Sequence, residues 1–193
     1  MKFCSSCGAE LVLMLPPQDT RHRHVCTACK TIHYENPRVV AGCIPEWQGR
    51  ILLCRRSIEP RAGQWNLPCG FMETGETVAE TARRETSEEA NARVELLGLY
   101  NVINLPHISQ VYFMFRARLL DGDFSAGHET DEAKLFEPDS IPWGELAFPT
   151  VTHTLRFLLS DRDAGAYRFR MGDIVGDGDG FRYRGSTGTD RED

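Results

Sequence analysis

The sequence contains no long hydrophobic run and no surplus of positive charge. The longest aliphatic stretch near its beginning covers only residues 11–15, which is too short to span a bilayer or to form the core of a signal peptide. Lysine and arginine total 22 against 28 aspartates and glutamates, for a net charge of −6, whereas a general binder of nucleic-acid backbones needs excess positive charge. We therefore expect a cytoplasmic protein without a membrane partner, and nucleic acid is not an expected partner.

The composition is otherwise that of an ordinary soluble protein. Hydrophobic residues make up 41% and charged residues 26% of the 193 residues, which excludes collagen-like, low-complexity and wholly disordered chains. The length allows one full hydrophobic core and a small appended module. From Gly172 onward the composition shifts toward glycine and acidic residues, so we predict a disordered tail over residues 172–193.

The seven cysteines include two CxxC pairs, Cys4–Cys7 and Cys26–Cys29. Four thiolates presented by two tight turns suit a closed tetrahedral Zn²⁺ site, which is a structural arrangement. Two disulfides or two redox-active dithiols are the alternative, although an odd number of cysteines fits a reducing compartment. Residues 1–34 have too few apolar side chains for a core, so we predict a zinc-stabilised ribbon there.

Residues 35–171 carry the periodicities of a mixed α/β domain. Alternating apolar and polar residues or short apolar runs predict strands at 38–46, 50–56, 93–100 and 110–120. Helical spacing predicts helices at 77–90 and 150–161.

The first predicted helix is strongly acidic. Thr77 and Glu80 form a capping-box pattern at its beginning. Glu85, Glu88 and Glu89 have the spacing i, i+3, i+4, so their negative charges crowd one patch of the helix. A hard divalent cation such as Mg²⁺ or Mn²⁺ would explain this patch. The alternative is a solvated helix face whose glutamates pair with arginines of the same helix.

The wider pattern resembles the signature of the Nudix hydrolases: Gly70, five residues, Glu76, seven residues, Arg84-Glu85, two residues, Glu88-Glu89. Asn91 stands where glycine is usual in that signature, and asparagine tolerates a left-handed helix end almost as well. The resemblance implies an α/β fold, namely a Nudix α/β/α sandwich around a mixed sheet, which the zinc ribbon precedes. A homodimer is common in the family, and the sequence itself indicates no interface for one.

The resemblance also implies roles for the acidic helix. Glu85, Glu88, Glu89 and the backbone carbonyl of Gly70 would hold catalytic Mg²⁺ or Mn²⁺. Arg84 would orient these glutamates, with Glu76 as its partner. Family precedent places a general base in a later loop, where Glu132 is favoured over Glu129. Both acids could equally be solvated loop residues.

Further segments resemble one zinc-ribbon group of Nudix hydrolases, among them Asn36-Pro37-Arg38-Val39-Val40, Glu59-Pro60-Arg61 and Trp65-Asn66-Leu67-Pro68. This resemblance implies a pyrophosphatase that acts on a nucleoside diphosphate-linked small molecule. FAD would give FMN and AMP, and ADP-ribose would give AMP and ribose 5-phosphate. An NADH pyrophosphatase, an NAD-cap RNA hydrolase and a metal-dependent sensor on an inactive Nudix fold are the alternatives.

Five residues are candidates for contacts with the substrate. Arg55, Arg56 and Arg61 could clamp a diphosphate, and Trp65 and Phe71 could flank a flat ring. The alternatives are a surface ion pair for at least one arginine and an ordinary core position for each aromatic residue.

Overall fold

Residues 1–37 form one of two units in the computed structural model, which describes residues 1–176 and 180–186. Three short strands, β1 (Leu11–Met14), β2 (Arg23–Cys26) and β3 (Ile32–His33), pair antiparallel in the order β1-β2-β3. The buried apolar side chains of this unit are Cys4, Pro16, Val25 and Cys26. Such a small core cannot hold three strands without a further cross-link or ion.

The second unit, residues 38–193, is built on a mixed sheet. Its strands are β4 (Arg38–Trp47), β5 (Arg50–Arg56), β6 (Trp65–Asn66), β7 (Cys69–Phe71), β8 (Val94–Leu105), β9 (Gln110–Leu119), β10 (Thr130–Phe136), β11 (Arg170–Gly176) and β12 (Phe181–Gly185). The order along the sheet is β10-β5-β4-β9-β8-β11-β12, with β6 paired to β5 and β7 paired to β4. The pairs β4–β9 and β8–β11 are parallel, and the other pairs are antiparallel.

Two helices, α1 (Val78–Ala90) and α2 (Pro149–Asp163), cover opposite faces of this sheet. Neighbouring residues of a strand point to opposite faces, and Leu52 and Leu53 of β5 accordingly belong to different apolar clusters. Leu52 packs in the cluster that contains Ala82 of α1, and Leu53 packs in the cluster that contains Leu155 of α2. This layering confirms the predicted α/β/α sandwich. Among the described residues, no helix is long and apolar enough to cross a membrane.

Helix α1 begins and ends as its sequence predicts. The Thr77 hydroxyl accepts a hydrogen bond from the Glu80 amide, and the Glu80 carboxylate accepts one from the Thr77 amide, which completes the capping box. Asn91 ends the helix in the left-handed conformation, with φ 46° and ψ 29°. The small side chains of Ala82 and Ala90 are fully buried, so α1 lies close to the sheet.

The predicted disorder of residues 172–193 is wrong for the part of this segment that the structure describes. Strands β11 and β12 form a hairpin there, and β11 pairs in parallel with β8. Ile174 and Tyr183 are buried against Ile103, so two well-placed apolar side chains outweigh the glycine-rich and acidic composition. Residues 177–179 and 187–193 lie outside the described residues.

Candidate active site

The four cysteines of the CxxC pairs converge in the first unit. Their sulfur atoms all lie within 4.8 Å of one another, with Cys4 Sγ 3.6 Å from Cys29 Sγ and Cys7 Sγ 3.5 Å from Cys26 Sγ. A disulfide needs about 2.05 Å between its sulfurs, whereas a tetrahedron of thiolates about 2.3 Å from Zn²⁺ has edges of roughly 3.8 Å. The spacing of the sulfurs therefore fits a tetrahedral zinc site and not two disulfides.

The second unit contains a cavity of about 930 Å³ that is lined by residues of the sheet, of α1 and of the connecting loops. Residues of the charged pattern line one side of it: Gly70, Arg84, Glu85, Glu88 and Glu89. The cavity volume is within the range of small-molecule sites. Most charged residues of the sequence pattern therefore line one cavity that is large enough for a small-molecule ligand.

Arg84 is the centre of the hydrogen-bond network on this wall. Its guanidinium donates to both oxygens of Glu76, at 2.6 and 2.9 Å, and to the Phe71 carbonyl at 3.0 Å. Nη1 of the same side chain donates to Glu85 Oε1 at 2.7 Å and to Glu88 Oε2 at 2.9 Å. The positive guanidinium lowers the pKa of Glu76 to about 2. Arg84 therefore offsets the mutual repulsion of the glutamates and fixes their orientation.

Glu85 and Glu89 are mostly buried, and neighbouring negative charge makes that burial costly. Burial, followed by the charge of Glu85, raises the pKa of Glu89 to about 8, and burial raises the pKa of Glu85. The Glu85 carboxylate also lies directly over Gly70, where an added Cβ would be 2.3 Å from Oε2. The two buried carboxylates ionise less readily than exposed ones, and they lie beside Gly70, where a side chain would clash. Such a group of oxygen atoms suits a hard divalent cation.

The cysteines and the glutamates differ in how closely their ligand atoms gather. Among the described residues, the four cysteines are the one group of three or more possible ligands whose donor atoms all lie within 4.8 Å. The carboxylates of the acidic patch are more widely spaced, and Arg84 Nη1 lies between Glu85 and Glu88.

Three of the five predicted substrate contacts line the cavity, namely Arg56, Arg61 and Phe71. Arg55 and Trp65 do not, so the structure contradicts these two predictions. Arg55 alternates with Arg56 along β5 and is exposed, with its Nε 2.9 Å from the Gly63 carbonyl. Trp65 is 5% exposed and packs edge-on against Phe136, with ring centres 4.8 Å apart.

Further residues line the cavity beyond the five predicted substrate contacts. The guanidinium of Arg38 lies over the Phe71 ring at 4.6 Å, and that of Arg56 lies over the Phe148 ring at 5.4 Å. Asn66 Oδ1 and Thr150 Oγ1 belong to buried lining residues and have no hydrogen-bond partner among the described residues. Arg38 and Asn66 lie in segments that resemble the zinc-ribbon group, so the sequence could have indicated them as site residues. No feature of the sequence indicated Phe148 or Thr150.

The two candidate bases occupy different environments. Glu132 lies within β10 opposite Arg55 and is exposed, and it is not among the residues that line the cavity. Glu129 precedes β10 and lines the cavity together with His128. The structure therefore contradicts the preference for Glu132, because this residue belongs to a strand and not to the predicted loop.

Two protein-family models together match residues 2–155 of this chain. The NUDIX domain family matches residues 36–155, and the Nudix N-terminal zinc-ribbon family matches residues 2–35. A crystal structure of a NUDIX hydrolase from Nitrosomonas europaea is 52% identical, with a TM-score of 0.88, and the match covers 90% of this chain and 99% of that chain.

Two curated relatives carry different activities in their names. An ADP-ribose pyrophosphatase of Methanocaldococcus jannaschii is 33% identical over 121 residues, which are 60% of this chain and 69% of the relative. The NAD-capped RNA hydrolase NudC of Chromobacterium violaceum is 31% identical over 143 residues, which are 73% of this chain and 52% of the relative. The present chain therefore matches only about half the length of that NudC protein.

Proposed function

Because this chain belongs to the Nudix family, and is a pyrophosphate hydrolase of that family, we propose that its substrates are FAD and ADP-ribose. The observation that carries the proposal is the cavity itself, which joins the acidic patch to arginine and aromatic side chains. A nucleoside diphosphate presents the matching features, a dianionic diphosphate between flat or sugar-bearing groups. The products would be AMP with FMN, or AMP with ribose 5-phosphate.

Glu85, Glu88, Glu89 and the Gly70 carbonyl would hold Mg²⁺ or Mn²⁺, a donor set of oxygen atoms that fits either ion. The bound cation would supply neutralisation of the phosphate oxygens and a lower pKa for the attacking water. Arg84 would keep the carboxylates oriented through its contacts with Glu85 and Glu88.

The diphosphate would be bound by arginines of the same cavity. Arg38, Arg56 and Arg61 line it, and guanidinium groups donate to phosphate oxygens in pairs. Phe71 and Phe148 already have guanidinium groups of Arg38 and Arg56 over their rings. A substrate ring that stacks on either phenylalanine would therefore lie next to the arginine that binds its phosphate.

Glu129 is our candidate for the general base. It lines the cavity, and the Ser57 amide donates a hydrogen bond of 3.0 Å to its backbone carbonyl. Its carboxylate would accept a proton from the attacking water, a role for which a positioned glutamate is well suited.

The first unit would bind Zn²⁺ as a structural ion through Cys4, Cys7, Cys26 and Cys29, since its sulfurs are already spaced as tetrahedral ligands. Thiolate ligands of this kind persist in a reducing compartment, which supports a cytoplasmic location.

The second candidate function is hydrolysis of NADH or of the NAD cap of RNA. The NudC relatives favour it, since one of them matches 168 residues, or 83% of this chain. Both classes of substrate share an adenosine diphosphate half, so the discrimination would depend on the other half of the substrate.

Side-by-side hydrolysis of FAD, ADP-ribose, NADH and NAD-capped RNA by the zinc-loaded chain with Mg²⁺ tests the proposal. We expect FAD and ADP-ribose to have the highest kcat/KM, and mass analysis in ¹⁸O-water should find the label in one phosphate product. Turnover of NADH or capped RNA about tenfold faster, or roughly 1.4 kcal/mol in barrier height, would reverse the order. Absence of turnover with all four would favour the sensor alternative.

A further inference from the structure

The loop between β9 and β10 is hydrogen-bonded to the carboxyl end of α1. The Ser125 amide donates to the Ala90 carbonyl at 2.9 Å, and the Gly127 amide donates to the Glu89 carbonyl at 3.0 Å. The Asn91 side chain adds two bonds through Nδ2, to Ser125 Oγ at 3.0 Å and to the Ala126 carbonyl at 3.0 Å. The end of the acidic helix therefore holds three consecutive residues of the loop.

Gly127 permits this close approach. A Cβ at this position would lie 1.7 Å from the Glu88 carbonyl oxygen, which no side chain can tolerate without moving the backbone. The loop consequently touches the backbone of the same two residues, Glu88 and Glu89, whose side chains face the cavity.

Asn91 contributes to this junction in two separable ways. Its backbone adopts the left-handed conformation that ends α1, and its amide donates a hydrogen bond of 2.9 Å to the Ser87 carbonyl. Its side chain tethers the loop. Glycine would keep the first contribution, because it adopts left-handed angles without strain, and it would remove the second.

Resting on the proposed function, we infer that Asn91 is a positioning residue that holds the loop so that Glu129 faces the acidic patch. Only His128 separates Gly127 from Glu129, and the Glu129 carbonyl accepts a hydrogen bond from the Ser57 amide. Since the tether ends on the helix that carries Glu88 and Glu89, the base and these carboxylates keep a fixed separation. Small misplacements of catalytic groups are costly, about 100-fold for 1 Å.

A double-mutant cycle with Asn91→Gly and Glu129→Gln tests this inference. We expect Asn91→Gly to lower kcat about 10-fold or more while leaving Mn²⁺ affinity and KM nearly unchanged. Glu129→Gln should lower kcat by about 10²- to 10⁴-fold. In the Glu129→Gln background the further loss from Asn91→Gly should disappear, because the tether acts through the base.

Hydrogen exchange of the peptide that covers residues 121–130 examines the tether independently of turnover. Asn91→Gly should speed exchange at Ser125 and Gly127. Arg93→Gln is the matched control, since it breaks an exposed ion pair with Asp121 at the beginning of the same loop, and it should leave both kcat and these amides nearly as in the parent.

Three results would overturn the inference. Unchanged hydrogen exchange in Asn91→Gly would show that the Asn91 side chain does not hold the loop. This result would leave the proposed function intact if Glu129→Gln is inactive. A loss of kcat from Asn91→Gly that persists in the Glu129→Gln background would assign Asn91 a purely structural role. Parental kcat in Glu129→Gln would refute both the proposed base and its positioning, without bearing on the metal site.

Discussion

The two candidate metal sites of this chain differ in what surrounds their ligands. In the first unit the buried apolar residues are Cys4, Cys26, Pro16 and Val25, so two of the four candidate ligands make up half of the core. In the second unit the acidic patch lies on a helix that packs into one of the two apolar clusters of the sheet and is capped at both ends. Zn²⁺ would therefore stabilise the fold of the first unit, whereas Mg²⁺ or Mn²⁺ would bind to a second unit that folds without it.

Removal of the first site should produce the largest effect. Structural Zn²⁺ contributes about 10–16 kcal/mol in small zinc domains, so Cys26→Ser should unfold residues 1–37 and abolish stoichiometric zinc. NMR spectra and zinc analysis of the full chain check this. Cys43→Ala, a buried thiol of the second unit, should keep the zinc. A folded, zinc-free first unit would contradict the comparison.

Removal of a carboxylate from the second site should abolish turnover without unfolding. Glu88→Gln or Glu89→Gln should reduce kcat/KM by at least about 100-fold, because several kcal/mol of transition-state stabilisation depend on the cation. The thermal midpoint and circular dichroism should stay close to those of the parent. Glu95→Gln, in an exposed pair with Arg118, is the control. Retained hydrolysis would show that the assigned metal site is wrong.

A buried ion pair should contribute more to the stability of the second unit than its exposed counterparts. Asp161 accepts hydrogen bonds from Tyr100, Arg168 and Arg170, and despite its burial these bonds lower its pKa to about 2. Asp161→Asn removes the carboxylate that faces the mostly buried guanidinium of Arg170. We expect this change to lower the free energy of unfolding by about 3 kcal/mol.

Denaturant titrations at several pH values check the same residue. A depressed pKa means that its contribution is complete above the ordinary value of 3.8 and is lost as the pH falls toward 2. The Asn variant should lose this segment of the pH dependence. Identical acid profiles for the two proteins would contradict the assignment.

The smallest effect is expected from the ionisation of Glu89 in metal-free protein. Its pKa is raised from 4.5 to about 8, so the folded state binds the proton more tightly and stability falls as the pH rises between these values. We expect a change of about 1–2 kcal/mol after solvent screening in the open cavity. Glu89→Gln should flatten this dependence of stability on pH. A dependence that survives the substitution would show that Glu89 is not its cause.

The elements that the sequence predicted correctly depend on local spacing. The capping box at Thr77, the left-handed end at Asn91 and the clustering of three glutamates follow from contacts three or four residues apart. The CxxC pairs likewise present their sulfurs locally. These features survive in the structure because no distant contact opposes them.

The errors all concern which side of an element a residue faces, or where an element begins. Arg55 and Arg56 are neighbours of the same type, and only the pairing of β5 decides that Arg56 faces the cavity. Glu132 became a strand residue through its pairing with β5, and the tail gained a hairpin because Ile174 and Tyr183 found a partner in Ile103. Long-range contacts of this kind leave no local signal.

Titration of the zinc-loaded full chain with Mn²⁺, read by electron paramagnetic resonance beside an ADP-ribose assay, tests the central claim most directly. We predict saturable binding that tracks the gain of activity in the parent and is greatly weakened in Glu89→Gln. No binding to the parent, together with turnover that withstands complete chelation, would contradict the account.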